Sequence, residues 1–252
     1  MGQSVPNPIL NTPNGLRELS LQELEAMPLS QFYSYKGNIV NAQSAFYYDT
    51  TYIKVGVAVT ANAKKSLFTL GKSETDTQFG TATTTGEKTE FLTNMISNGQ
   101  FDNGTNFIME GAGIQCIAPA NLPTTVGANG AITAPNYTAS VVIDGGNNLQ
   151  MALNNLELRF IRGEDVKKRG PAIMWPAPPG VGLAGAIGSP NAGFIQNGAA
   201  GLVQFTHPVV LEGGDKFQFD LANVAQAAWT PTTELLVRVV IWGTKITRQY
   251  PG

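Results

Sequence analysis

The stretch Val209-Val210-Leu211-Glu212-Gly213-Gly214-Asp215-Lys216-Phe217-Gln218-Phe219-Asp220-Leu221, with Glu234-Leu235-Leu236-Val237-Arg238-Val239-Val240-Ile241-Trp242-Gly243 after it, decides the fold. Phe217, Phe219 and Leu221 fall on one side of a two-residue period, and Lys216, Gln218 and Asp220 on the other. That alternation is the signature of a half-buried strand. Glu212-Gly213-Gly214-Asp215 reads as a tight reverse turn, because glycine reaches the positive φ such turns need. The second run is long, β-branched and nearly all apolar, and Lys245-Ile246-Thr247-Arg248 continues it. Together they predict an antiparallel closing pair in an all-β domain.

Working back toward the amino terminus, the same punctuation recurs. Strands are predicted over 201–205 and 207–211, and over Leu156–Arg162, where Leu156, Leu158 and Phe160 alternate with Glu157 and Arg159. Further strands are predicted over 139–143 and over Asn106–Ile117, where Gly111 and Gly113 mark a bulge or bend. Upstream of these, 89–96, 66–71 and 52–60 read as extended. Long loops are expected at 119–135 and at 167–201, the latter rich in Pro, Gly and Ala yet holding Trp175, Phe194 and Ile195. A loop of that length is functional or disordered as a rule, and its apolar anchors argue for packing.

The first fifty residues differ. Residues 1–13 are polar with three prolines and read as an extended arm. Leu16–Met27 is the best helix pattern, with Leu16, Leu19, Leu24 and Met27 as its apolar positions and a capping-box spacing from Ser20 to Glu23. Pro28 ends it, and Phe32, Tyr33 and 45–48 supply aromatic residues to a connecting segment. The division is thus an arm with a short helix over 1–50, and a β domain over 51–252. Such an arm packs either on a neighbouring molecule or on the base of its own domain.

Composition narrows the function. Charged residues make up 13% of the chain, against roughly 25% in an average soluble domain. A weakly charged, polar surface suits a protein largely covered by other protein, since interface cores are depleted in charge; an extracellular adhesive domain or plain composition bias also fits. Net charge is −2, and the only basic cluster, Lys167-Lys168-Arg169, follows Glu164 and Asp165. Strong direct binding to nucleic acid is not expected. The single cysteine, Cys116, excludes an intrachain disulfide framework and reads as a core thiol. No stretch has the order of a signal peptide or the length of a membrane span.

Catalytic sets are not recognisable. One histidine, His207, cannot supply the several His and carboxylate ligands of a jelly-roll metal site, and no Gly-x-Ser-x-Gly elbow accompanies it. Glu157, Glu164, Asp165, Glu212 and Asp215 fall at turns or on polar strand faces, with nothing to pair two of them for glycoside chemistry. The expectation is a protein that is not an enzyme and uses no cofactor.

The closing run 209–219 with 235–243, and Phe91-Leu92-Thr93-Asn94-Met95 with Asn98-Gly99-Gln100-Phe101 and Phe107-Ile108, resemble the jelly-roll capsid proteins of tailless icosahedral bacteriophages. The resemblance covers about Tyr52 to Arg248. It implies a virion subunit made in the host cytoplasm that self-assembles with its own copies and other capsid proteins, or against an internal membrane. The long loops favour one elaborated barrel over a compact double jelly roll. Leu16, Leu19, Leu24, Met27, Phe32, Tyr33, Trp175 and Phe194 are the expected subunit contacts. The arm, with Glu18, Glu23 and Glu25 against Arg17, lacks the basic character of genome-binding arms and gains little from phosphate neutralisation. The alternative is a non-catalytic β-sandwich that binds carbohydrate or a receptor through an exposed aromatic platform, with Trp175, Trp229 and Tyr137 as candidates.

Overall fold

The computed structural model describes residues 7–80, 84–117, 124–126, 132–135, 152–175, 203–232 and 234–247. The fold is an all-β sandwich of two four-stranded antiparallel sheets. One sheet has the order β12 (Val203–Leu211), β7 (Thr105–Ile117), β14 (Leu235–Thr247), β3 (Ala42–Ile53). The other has β11 (Asp165–Pro171), β10 (Leu156–Arg162), β13 (Phe217–Asn223), β4 (Lys64–Leu67). Hairpins β1 (Ile9–Thr12)–β2 (Gly15–Glu18), β5 (Thr75–Thr77)–β6 (Thr84–Glu87) and β8 (Thr124–Val126)–β9 (Ile132–Pro135) are appended.

The eight sandwich strands are nested. In chain order, the first pairs with the eighth, the second with the seventh, the third with the sixth and the fourth with the fifth. Phe107, Met109, Ala112 and Ile114 of β7 and Leu235, Val237, Val239 and Ile241 of β14 face Leu156, Leu158 and Phe160 of β10 and Phe217, Phe219 and Leu221 of β13 in one core. Tyr47, Phe101 and Phe107 meet at centroid separations of 4.9–5.2 Å, and Phe101 stacks on Phe217 at 5.3 Å. Each such aromatic pair adds about 0.5–1.5 kcal/mol beyond its buried area.

The alternating runs behave as their period dictates: β10 spans the expected residues, and β7, β13 and β14 match within two residues of the apolar stretches. The glycine interruption in β7 is a bulge against β14, between Trp242 and Gly243. A Cβ on Gly243 would lie 2.0 Å from the Ile108 carbonyl oxygen, so only glycine fits that crossing.

Several expectations are corrected. The strand placed at 52–60 is β3, ending at Ile53; the aromatic segment 45–48 lies inside it, and 42–53 runs across the boundary drawn at 50. Gly56, at φ +71, turns the chain soon after. Residues 89–96 form turns rather than a strand. Thr93 bridges Asp49, and the Asn94 side chain bonds the backbone of Phe46 and Tyr48, sealing the edge of β3 with side chains. The two runs expected at 201–205 and 207–211 are, from Val203 on, one strand with an irregularity between Gln204 and Val209. Residues 167–171 belong to strand β11, the outer arm of a hairpin, and a short turn, Ala172–Met174, follows it; the remainder of the expected loop, 176–201, lies outside the described residues. The strand expected at 139–143 lies outside the described residues.

The arm is also more structured than expected. The helix pattern over 16–27 divides: Gly15–Glu18 is strand β2, and α1 covers Leu21–Ala26. Ser20 is its N-cap, and the Ser20–Glu23 box marks the helix start, with Glu23 N–H donating to Ser20 Oγ at 3.2 Å and Ser20 N–H to Glu23 at 2.8 Å. Pro28 does end α1, with Met27 before it already extended, but it is also the N-cap of a second helix that was not expected, α2 (Leu29–Lys36).

Candidate subunit-contact surfaces

The eight residues expected to contact neighbours separate sharply. Leu19, Leu24, Met27 and Phe32 are buried with Leu10, Leu29 and Ile39 against Ile108, Val210 and Ile246. They pack on the outer face of the chain's own β12–β7–β14 sheet, so they are not free for a neighbour. The choice between neighbour and own domain falls to the latter, because those sheet positions are apolar on their outward side. Lys36 adds an ion pair to Glu110 at 2.6 Å, and Arg162 joins Glu25 of α1 at 2.7 Å to Asp215 of the 212–215 turn at 2.9 Å. Trp175 is 2% exposed and closes the main core, with its carbonyl accepting from Ile114 N–H at 2.6 Å. Leu16, at 70% exposure, and Tyr33, at 39%, remain on the surface. Phe194 lies outside the described residues, as does Tyr137.

Beyond the arm, the outer face of the first sheet carries aromatic residues. The register puts Phe46 opposite Trp242 and Tyr48 opposite Val240. Phe46 is 62% exposed and stacks on Tyr48 with centroids 6.4 Å apart. Arg238 lies over the rings of Tyr48 and Phe91, 4.6 and 4.9 Å from their centroids, and donates to Thr50 and to the Phe91 carbonyl. Burial holds its guanidinium below the usual arginine value, with Tyr48 and Asp49 opposing. At the arm's border, burial and then the Glu110 carboxylate push the Tyr33 hydroxyl up to about 12. The strip between the Tyr33–Glu110–Lys36 border and Phe91 is thus an aromatic surface with rigid backing.

The second surface is the edge of the other sheet. Among the described residues β11 pairs only with β10. Arg159, Val166, Lys167, Lys168 and Arg169 line a concavity of about 340 Å3 there. Lys167 is neutralised by Asp165 at 2.9 Å and Arg159 by Glu157, while Lys168 lies over the rings of Trp175 and Phe205. Its amine is pushed down by burial. Charged side chains on an open edge keep it from pairing indiscriminately. Val166, at 53%, and Met174, at 66%, are exposed beside it.

His207 is exposed on β12, and Trp229 is 7% exposed and bridges Val59. Among the described residues no three His, Cys, Asp or Glu side chains converge as metal ligands, and no helix is long and apolar enough to cross a membrane. The sequence reading missed Phe46 and Tyr48, although the aromatic density of 45–48 was the available signal. It also missed a buried cluster of Asp49, Lys88 and Asp76, which no local spacing announces. Comparison with protein-family models, curated proteins and solved structures finds no match to this chain.

Proposed function

We propose that this chain is a structural capsid subunit, a single jelly roll that self-assembles into an icosahedral shell. The nested pairing of eight strands in two sheets carries the reading, because it is the order obtained by rolling one long hairpin. Jelly rolls of this kind are common in viral capsids, lectins and cupins. The cupin branch needs several histidines, and the sequence has one. The lectin branch needs an exposed aromatic platform; Trp175 and Trp229 are both buried, which leaves the Phe46–Tyr48 stack for that role. The capsid branch needs surfaces low in charge, because closing a shell over unpaired ions carries a desolvation penalty. The aromatic strip at Phe46 is the contact proposed, with other copies and other capsid proteins as partners and the virion as the location. An internal membrane is a further partner of the same reading.

Light scattering and electron micrographs of the purified full chain test it. Trimers, pentamers or closed shells are expected. A strictly monomeric profile at high concentration, with no particle containing the protein, overturns it. The Phe46–Tyr48 stack also favours a second reading, a sugar- or receptor-binding sandwich. Glycan binding lost in Phe46→Ala, by a protein that stays monomeric, supports that reading instead.

A further inference from the structure

Asp49 on β3 and Lys88, one residue past β6, are 0% and 1% exposed in their side chains. Lys88 Nζ lies 2.5 Å from Asp49 Oδ1 and 3.4 Å from Asp76 Oδ2. The other Asp49 oxygen, Oδ2, accepts the backbone N–H of Phe68 at 2.6 Å, and Oδ1 also accepts Thr50 N–H at 3.0 Å. Phe68 sits at φ +66, a conformation rare outside glycine. Asp76 is 7% exposed, and Lys65, with the backbone N–H of Thr77 at 2.8 Å, holds its Oδ1 in place.

We propose that Lys88 and Asp49 condense into an intramolecular isopeptide bond, with Asp76 carrying the proton. Three requirements of amide formation meet at this point. The first is an amine held against a carboxyl group where water is excluded. The second is a donor for the oxyanion of the tetrahedral adduct, which the Phe68 N–H on Oδ2 supplies. The third is a second carboxylate within reach of the amine to take its proton and deliver it to the leaving oxygen.

The step balances without a co-reactant. A proton moves from the Lys88 ammonium to the Asp49 carboxylate, leaving a neutral amine against a neutral acid. Burial favours that exchange, and burial is also the largest influence on the Asp49 carboxyl, pushing it up while Lys88 and the two backbone donors pull it down. The Nζ lone pair then forms the N–C bond at Asp49 Cγ. Nζ loses one proton to Asp76, the Cγ–Oδ1 bond breaks, and Oδ1 leaves as water with that proton added. Two buried charges are replaced by one neutral amide, removing the desolvation penalty that makes a buried ion pair a weak stabiliser. The bond ties the 68–88 excursion to the edge of β3 and closes a covalent ring through residues 49–88. It does not depend on the capsid reading.

The intact mass of the purified full chain under denaturing conditions tests the inference. Wild type is expected to be lighter than its sequence by one water, and tandem mass spectrometry to find a branched peptide joining Lys88 to Asp49. Lys88→Arg, which keeps the charge and cannot form this bond, is expected at full mass. Asp76→Asn is expected to remain uncondensed while keeping the wild-type circular dichroism. Wild type at its full sequence mass overturns the proposal, as does a water loss mapped to any other residues. Complete condensation in Asp76→Asn overturns the role given to Asp76.

Discussion

Truncating Phe32 to alanine tests whether the arm belongs to its own sandwich. Phe32 is fully buried, with Leu24, Ile108, Val210 and Ile246 of its cluster also at 0% exposure. A phenylalanine at this depth buries roughly 150–250 Å2, which at roughly 25 cal/mol/Å2 corresponds to about 4–6 kcal/mol. The methyl that alanine retains and the compactness of the unfolded chain reduce the expected loss to about 3–5 kcal/mol. With a urea dependence of about 3 kcal/mol/M, the midpoint falls by about 1 M or more. Leu16→Ala is the control, since a side chain 70% exposed changes stability by only about 0.5 kcal/mol or less. Limited proteolysis of residues 7–41 is the second readout, because an arm loosened from the sheet becomes cleavable before the sandwich unfolds. The reasoning is refuted if Phe32→Ala matches Leu16→Ala in both midpoint and protease sensitivity.

Gly243→Ala places a Cβ against the Ile108 carbonyl; it is expected to yield little folded protein, and a wild-type thermal midpoint would count against the bulge geometry. Phe46→Glu puts a charge on the aromatic strip without touching the core; assembly should be lost with the unfolding free energy within about 0.5 kcal/mol of wild type, and unchanged particles would remove this strip from the contact set. Tyr33 has a raised pKa, so its contribution to stability is complete below the unfolded value of 10.0 and is lost as pH rises through about 12. Tyr33→Phe should therefore flatten the decline in urea midpoint above pH 10, and superimposable curves would contradict the assignment.

Legibility in the sequence followed burial pattern. Strands with one face in the core, such as β10 and β13, alternate and were found with nearly correct bounds. β11 was missed because Asp165-Val166-Lys167-Lys168-Arg169-Gly170-Pro171 is an outer strand with largely exposed side chains, and no apolar period is imposed on it. β3 was placed too late because its first half, Ala42 to Phe46, is an exposed edge, whereas Asp49 to Ile53 is fully buried. The apolar residues within 89–96 mimic a strand, but the segment instead covers the β3 edge through Thr93 and Asn94. In the arm, spacing identified four side chains that become buried, but the surface that buries them is formed by β7, β12 and β14, far away in sequence. Of the expected contacts, only Leu16 and Tyr33 remain exposed among the described residues. The exposed aromatic strip starts from a local i, i+2 pair, Phe46 and Tyr48, but Trp242 and Arg238 join it through cross-strand register, which no local pattern encodes.

The placement of β14 between β3 and β7 also sets a timetable for synthesis. Among the described residues β3 has no ladder partner but β14, and β4 has none but β13. Translation from residue 53 to residue 235 takes roughly 10–40 s at about 5–20 residues per second. Through that interval the nascent chain carries two early strands with unsatisfied edges, while β7 and β12 or β10 and β11 can already zip together. The last strand therefore acts as a latch, and the half-made chain is the form most in need of a chaperone's shelter.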